Sequence, residues 1–296
     1  MYDFVGRYRT WFAGSLLVIV IGLVSLALPG TGLRLGIDFT GGLLAEIRFK
    51  GTPSTAQVRE VLNARGLGAG MVQKTGSEGH DFLLRTKAVS DQERAALFDE
   101  MKKSLGEFEI LRVEEVKGVI GKELTRKALL ALLVANLGMI AYITIRFEFK
   151  FAVTAIIALL HDVLITVGAV SLAGMEVNSP FVAAILTIIG YSINDTIVVY
   201  DRIRENLKRR KKEDIATLVN RSISETLMRS INTSLTTLLA VVAILVLGGQ
   251  TTRDFAFALL VGITAGTYSS IFIASPLWAL WKRREEGARM LGVGGK

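Results

Sequence analysis

The sequence of 296 residues contains no cysteine, which excludes a disulfide and any cysteine-based metal site or nucleophile. It contains only two histidines, His80 and His161, so a histidine-based metal site is not expected. Charged residues make up 21% of the chain and hydrophobic residues 51%, which is more apolar than a soluble protein of this length. We expect no metal, no cofactor and no enzymatic activity, since no catalytic constellation is apparent in the segment between the first two predicted spans and no nucleotide-binding motif occurs in the sequence. The apolar excess instead predicts membrane spans.

Charge is nearly absent from six stretches that are long enough to cross a bilayer, which takes about 20 apolar residues. The predicted spans are residues 11–28, 128–145, 151–172, 181–200, 230–247 and 255–281. The third span contains His161 and Asp162, and the fourth contains Asp195. The first span could alternatively be a signal peptide, since Ser25-Leu26-Ala27 resembles a cleavage site, but its apolar run is long for that role.

Lysine and arginine are concentrated in four segments that fall on one side of the membrane if there are six spans. They are the N-terminus, the loop between spans two and three, the loop between spans four and five, and the tail 282–296. By the positive-inside rule, we expect both termini to be cytoplasmic and residues 34–127 to lie outside the cytoplasm. The net charge of +8 is therefore mostly a topology signal that can also meet anionic lipid in the bilayer, and it does not predict nucleic-acid binding.

Residues 34–127 have an ordinary soluble composition and read as strand, helix, strand, strand, helix, strand. The predicted strands are residues 43–49, 70–74, 81–87 and 108–116, and glycine-rich turn residues fill 75–79. Ser54 and Ser90 are predicted to cap the two helices, and Glu93 completes a capping box with Ser90. The order βαββαβ predicts a ferredoxin-like α+β domain between the first two spans, a fold that by itself specifies no chemistry.

The predicted organisation has four parts. Residues 1–33 form the N-terminal segment and first transmembrane helix, and residues 34–127 form the periplasmic ferredoxin-like domain. Residues 128–281 form transmembrane helices two to six, and residues 282–296 form a cytoplasmic tail. The fold class is thus a polytopic α-helical membrane protein with six transmembrane helices and one extramembrane domain.

Asp162 and Asp195 are acidic residues inside predicted spans, where an Asp near a helix centre costs about 2.5–3.5 kcal/mol. Spacing by threes and fours places several polar residues with Asp195 on one helix face: Thr187, Tyr191 and Asn194. Such a face turns toward other helices or water. The acids could be polar contacts between helices. They could instead carry a proton, with Arg229 at the start of span five as the cation that favours its release. Arg229 could also be an interfacial residue that extends its charge to the cytoplasm.

Gly36, Gly41 and Gly42 flank Asp38 where the chain leaves the first span. Glycine permits positive φ angles and close backbone approach, so this motif predicts a hinge or a tight join to the outer domain. It is not a phosphate-binding loop, because no Lys-Ser/Thr pair follows it. A simple loop is the alternative.

Three motifs together resemble the SecD/SecF family of bacterial protein-export membrane proteins. They are Gly36-Ile-Asp-Phe-Thr-Gly-Gly42 after the first span, Gly190-Tyr-Ser-Ile-Asn-Asp-Thr-Ile-Val-Val-Tyr-Asp-Arg-Ile-Arg-Glu-Asn206 across the fourth, and Arg229-Ser-Ile-Asn-Thr-Ser-Leu-Thr-Thr237 at the fifth. The resemblance runs from end to end. The chain length and the single small outer domain favour the SecF branch of this family.

The resemblance implies a relation to the RND superfamily of proton-driven transporters, a bacterial inner-membrane location, and pairing with SecD. It also implies that the chain assists the SecYEG channel, and that proton flow drives outer-domain movements which help to draw out an unfolded preprotein. The key acid would be Asp195 with Asn194 beside it, the basic partner Arg229, and Asp162 would support them.

Two other functions stay open. One is a proton-driven small-molecule efflux transporter of the RND type, although such exporters carry a duplicated twelve-helix core of which this chain has half. The other is a passive scaffold subunit of a membrane complex, in which Asp195 only packs helices together.

The predicted orientation can be tested with Ser77→Cys in the outer domain and Lys211→Cys in the loop between spans four and five, because the chain has no other cysteine. On intact cells, an impermeant thiol reagent is expected to label the first variant and spare the second. The reverse labelling pattern would overturn the whole orientation.

Overall fold

The computed structural model describes residues 2–28, 32–67, 70–75 and 79–290 of the chain, without the side chains of 250, 251 and 288–290. The helices are α1 (Tyr8–Ala27), α2 (Ile37–Thr40), α3 (Thr55–Ala64), α4 (Asp91–Leu105), α5 (Gly118–Arg146), α6 (Phe149–Leu172), α7 (Ser179–Lys208), α8 (Ile215–Leu247), α9 (Gln250–Ser269) and α10 (Ser275–Met290). A π-helix, Ser270–Ala274, joins α9 to α10. The strands are β1 (Arg34–Leu35), β2 (Gly42–Phe49), β3 (Met71–Thr75), β4 (Asp81–Thr86), β5 (Phe108–Val116) and β6 (Glu176–Val177).

The chain divides into two compact units. One contains Met1–Arg34 and Ala131–Lys296, and the other contains Leu35–Leu130.

The smaller unit is built on a four-stranded sheet in the order β3-β4-β2-β5, in which every neighbouring pair is antiparallel. This order and the two intervening helices confirm the predicted ferredoxin-like βαββαβ fold. Alternating residues of the strands and one side of each helix form a single apolar core, which includes Ile47, Leu62, Phe82 and Met101. The core thus joins strands that lie far apart in the sequence, such as β2 and β5.

Both predicted helix caps are present in the smaller unit. The hydroxyl of Ser54 accepts the backbone N–H of Gln57, and that of Ser90 accepts the backbone N–H of Glu93, each completing a capping box. Hydrogen bonds from the backbone N–H and the hydroxyl of Ser90 hold the pKa of Glu93 below its ordinary value. Some strand ends differ from the prediction by one residue: β3 starts at Met71, and β4 ends at Thr86. Residues 76–78 of the predicted turn lie outside the described residues.

The described residues contain six helices that are long and apolar enough to cross a membrane, as predicted. Several run well beyond the predicted spans: α5 begins at Gly118, α7 continues to Lys208, and α8 begins at Ile215. Hydropathy marks only the part of a helix that lies in hydrocarbon. The first turns of α8 are amphipathic and are therefore not marked by hydropathy. They follow the N-cap residue Asp214 and bury the side chains of Leu218 and Val219.

Helix α9 packs against α6, α7 and α8, while α1 lies along α6. In three contacts between α1 and α6, the two residues are 146 positions apart in the sequence, and we call this separation the offset. Ser15 Oγ lies 3.0 Å from His161 Nε2, and Ser25 Oγ lies 3.0 Å from Ser171 Oγ. Between them Gly22 meets Gly168. The constant offset means that the two helices are parallel and in register, and the small residues let their backbones approach closely.

We call the contact of Ser15, Gly22 and Ser25 with α6 the α1–α6 seam. It predicts that substitutions at two glycines of α1 differ sharply in their effect on stability. A Cβ on Gly22 would lie 2.9 Å from the Cα of Gly168, whereas nothing lies within 4 Å of a Cβ on Gly14. Gly22→Val should therefore force the helices apart and lower the stability of the protein in detergent by about 1–3 kcal/mol, an ordinary cost of overpacking. Thermal unfolding of the purified protein measures this effect. Equal melting temperatures for Gly22→Val and Gly14→Val would show that the seam does not hold α1.

Candidate functional site

Asp195 on α7 is buried, with 3% of its surface exposed, and its carboxyl faces α8. Its nearest polar neighbours there are the hydroxyls of Ser230 and Ser234. Ser234 is bonded to Thr267 Oγ1 at 2.6 Å. The Oδ2 atom of Asp195 and the Oγ atom of Ser230 are both buried without a hydrogen-bond partner. Such unsatisfied groups cost about 1–3 kcal/mol each, so this carboxyl gains from a bound proton or an approaching donor.

Arg229 lies near the middle of α8, not at the start of a helix as predicted, because α8 begins fourteen residues earlier at Ile215. Its side chain is on the exposed surface of the helix. Its positive charge is close enough to act on Asp195. Both residues are described, and no hydrogen bond joins the arginine to the free Oδ2 atom. The structure thus brings the predicted acid and cation near each other but leaves the pair open.

The polar face predicted for α7 divides between two environments. Tyr191 donates from its hydroxyl to Thr237 Oγ1 of α8 at 3.3 Å, on the side where Asp195 is buried. Thr187 and Asn194 are instead exposed on the surface of the larger unit. Asn194 therefore precedes Asp195 in the sequence without sharing its surroundings.

Asp162 on α6 is fully buried and belongs to a separate network. Its Oδ2 accepts hydrogen bonds from Ser192 of α7 at 2.6 Å and from Ser269 of α9 at 2.8 Å. Its Oδ1 lies 2.8 Å from Nδ1 of His161. The Nε2 atom of His161 contacts Ser15. The carboxyl thus ties α6 to α7 and α9, and His161 extends the network to α1 through Ser15.

The end of α9 bonds to all four helices around it through consecutive side chains. Thr267 contacts Ser234 of α8, and Tyr268 contacts Ser15 of α1. Ser269 donates to Asp162 of α6, and Ser270 lies 2.8 Å from Thr196 Oγ1 of α7. Sequence reasoning missed these residues, together with His161, Ser15, Ser192, Ser230 and Ser234. A run of four polar residues inside an apolar span was the one signal that could have found residues 267–270.

The predicted glycine motif has a local physical reason within the smaller unit. Gly41 and Gly42 have φ angles of 71° and 142°. A Cβ on Gly41 would lie 2.8 Å from the Cα of Gly118, and one on Gly42 would lie 2.4 Å from the carbonyl oxygen of Thr86. Gly36 precedes the short helix α2, which contains Asp38, and its carbonyl accepts hydrogen bonds from the backbone N–H groups of the third and fourth residues that follow.

No group of three or more His, Asp or Glu side chains that could hold a metal ion occurs in the described part of the chain.

These features define a multi-span membrane protein with two buried intramembrane acids and a ferredoxin-like domain inserted after the first span. Residues 96–284 match the family model of the protein export membrane protein SecD/SecF, C-terminal, and residues 26–53 match that of the SecD/SecF GG motif. The chain therefore belongs to the SecD/SecF family.

The relatives of the chain are SecF subunits. It is 46% identical over 290 residues to the protein translocase subunit SecF of Desulfurispirillum indicum, covering 94% of this chain and 91% of that one. It is 40% identical in sequence to the SecDF chain in the crystal structure from Thermus thermophilus, and the two structures superpose with a TM-score of 0.86 over 96% of this chain. A super-membrane-facing form of SecDF matches at 39% identity with a TM-score of 0.73 over 98% of this chain. The chain spans only 39% and 40% of those two SecDF chains.

The backbone of the glycine motif predicts that Gly42→Val destabilises the smaller unit, because valine must adopt a positive φ and its Cβ would collide with the Thr86 carbonyl. Gly51→Val is the matched control, since nothing lies within 4 Å of a Cβ there. Limited proteolysis of the full chain should cut the Gly42→Val variant within residues 35–130 at least about tenfold faster, as a loss of about 1.4 kcal/mol implies. Equal resistance in both variants would contradict this structural role.

Proposed function

We propose that the chain is a protein-export subunit of the bacterial inner membrane that assembles with SecD and assists the SecYEG channel. Proton flow through Asp195 biases the helices of the larger unit between two arrangements. The resulting movement of the outer domain, with the Gly36–Asp38–Gly41–Gly42 motif as its hinge, helps to draw an unfolded preprotein outward. Both termini are cytoplasmic, and the domain predicted at 34–127 is periplasmic.

The buried carboxyl of Asp195, whose Oδ2 atom has no hydrogen-bond partner, is the observation that carries this proposal. Both oxygens of the Asp162 carboxyl are hydrogen-bonded, so that acid needs no further partner. Asp195 instead faces the unpartnered Oγ of Ser230, and the charge of Arg229 stands near without closing the pair. Such a group responds strongly to gaining or losing a proton, because the ionised form needs the cation and the neutral form does not.

Two states follow from this arrangement. When Asp195 is protonated, the acid is neutral and the pair with Arg229 can stay open, as it is in this structure. When Asp195 loses its proton, the buried charge favours an inward movement of the arginine and a closer approach of α7 and α8. A proton gradient that fills the site from one side and empties it to the other would shift the balance between these states.

The outer surface of α7 and α8 supports pairing with SecD. Polar and small side chains are exposed there at membrane depth: Thr187, Gly190 and Asn194 on α7, and Arg229, Asn232, Thr233 and Thr236 on α8. Polar groups of this kind are unfavourable against lipid tails and are typical of helix–helix contacts. The structures that the chain resembles are SecDF proteins, one of them described as translocon-associated.

Asp195→Asn tests the proton step, because asparagine keeps the size of the side chain but cannot hold the negative charge. The variant should insert and copurify with SecD, yet lose the gradient-dependent stimulation of preprotein export into energised membrane vesicles. Asp201→Asn, at an exposed position on the same helix, is the matched control and should export normally. An uncoupler added to each sample separates gradient-dependent export from the remainder.

The alternatives predict other results. If Asp195→Asn keeps full uncoupler-sensitive export with SecD held constant, this acid is not the carrier and the passive-scaffold function is favoured. If the chain fails to copurify with SecD and instead moves a small molecule against a gradient, the efflux function is favoured.

A further inference from the structure

The network around His161 contains a hydrogen-bond chain whose directions can be assigned. Tyr268 donates its one hydroxyl proton to the carbonyl oxygen of Trp11 at 3.0 Å. The contact of 3.4 Å between Ser15 Oγ and the Tyr268 hydroxyl must then be donated by Ser15. Ser15 has one proton and has used it, so the contact of 3.0 Å with His161 Nε2 must be donated by the histidine. The Nε2 atom of His161 is therefore protonated.

This assignment fixes the number of protons held between His161 and Asp162. Nδ1 and Oδ1 lie 2.8 Å apart, which requires a proton between them. With Nε2 already protonated, that proton belongs either to an imidazolium facing a carboxylate or to a carboxylic acid facing a neutral imidazole. The pair is electrically neutral in both cases.

Among the described side chains of the helices packed around the pair, none that carries a charge bonds to it. Ser192 of α7 and Ser269 of α9 donate to Oδ2 of Asp162, and Ser15 of α1 accepts from His161. Tyr268 of α9, whose ring stacks on His161 at 6.0 Å between centroids, is the titratable group that faces the pair. The charge state of the pair is thus set by its own shared proton.

We propose that His161 and Asp162 form a second proton-binding site, distinct from Asp195, and that Ser15 and Tyr268 connect it to the protein surface. His161, Asp162 and Ser15 are buried, whereas Tyr268 is partly exposed and lines a groove of about 670 Å³. The chain of hydroxyls therefore runs from a closed interior to an open surface. Proton binding at this site does not depend on the proposed role in export.

The exchange balances with one water molecule, which enters the groove and accepts the proton. A proton leaves Tyr268 Oη for water in the groove, Ser15 passes its proton to Tyr268, and Nε2 of His161 passes its proton to Ser15. The shared proton then settles on Nδ1, which leaves a neutral imidazole facing an ionised Asp162 with a net charge of −1. Reprotonation from the groove follows the same links in the opposite direction.

The chain has only one other histidine, so His80→Gln leaves His161 as the single imidazole for ¹⁵N NMR of the full-length protein in lipid. We expect Nε2 to be protonated near neutral pH and Nδ1 to show a shared proton. In Asp162→Asn the amide can donate to Nδ1 and accept from both serines, so the network should persist with a neutral histidine and no shared proton. A histidine that stays neutral and protonated only at Nδ1 from acidic to neutral pH, facing an ionised Asp162, would overturn the proposed proton-binding site.

The route is tested by the rate of hydrogen–deuterium exchange at Nε2. Tyr268→Phe keeps the stacked ring and removes the hydroxyl, so exchange should slow by at least about tenfold, the effect of one lost hydrogen bond of about 1.4 kcal/mol. Tyr200→Phe is the matched control, because this buried hydroxyl bonds to Thr154 at 2.6 Å and lies outside the chain of donors. Equal exchange rates in the two variants would overturn the connection through Tyr268. These readouts need no export, so they stand apart from the test of Asp195.

Discussion

Satisfying the fully buried carboxyl of Asp162 is the constraint on which the larger unit depends. A buried carboxyl without partners is unfavourable by several kcal/mol, and no side chain of its own helix beyond His161 bonds to it. Ser192 and Ser269 must therefore be supplied by α7 and α9 at the same level. This level is also where Gly266 of α9 meets Ser192, an approach that a larger residue would prevent. The π-helix begins immediately after this cluster, at Ser270, as is common where a helix is adapted to a functional site.

The two intramembrane acids illustrate different uses of the same side chain. Donors surround Asp162, so its hydrogen-bond network is rigid. When this network gains or loses a proton, the change in charge falls on the pair of Asp162 and His161. Asp195 is only one turn away from Ser192 on α7, yet its Oδ2 atom lacks a donor and faces a helix that is exposed along most of its length. Asp162 thus bonds to three helix positions at once, whereas Asp195 keeps one oxygen without a partner near the exposed Arg229.

The sequence is a good guide where the physical signal is local. Ser54 and Ser90 were predictable as caps because the capping box spans only four residues, and strand alternation gave the order of the ferredoxin-like domain. The positive φ angles at Gly41 and Gly42 agree with the glycine motif. Helix ends were less predictable, since hydropathy does not record the amphipathic turns that start α8 at Ile215. The same error placed Arg229 at a helix start instead of near the middle.

Contacts between distant parts of the chain leave little trace in the sequence. Ser15 is an isolated serine in an apolar helix, and nothing near it indicates a histidine 146 residues further on. The basic segment between predicted spans four and five was read as a topology signal, but several of its charges are also paired. Arg202 bonds to Glu225 of α8, and Arg210 bonds to Glu286 of α10, each at 2.6 Å. Such pairings depend on how the helices pack, so residue type alone could not reveal them.

The constant offset between α1 and α6 has a consequence for how the protein is made. Ser15, Gly22 and Ser25 meet partners that are translated 146 residues later, at about 5–20 residues per second. The ribosome therefore delivers α6 roughly 7–30 seconds after α1. Throughout that interval α1 lies in lipid, where its serines can bond only to the backbone of their own helix. Membrane insertion of the first helix and closure of its seam are consequently separate events in biogenesis, and a nascent chain that stalls before α6 keeps its first helix undocked.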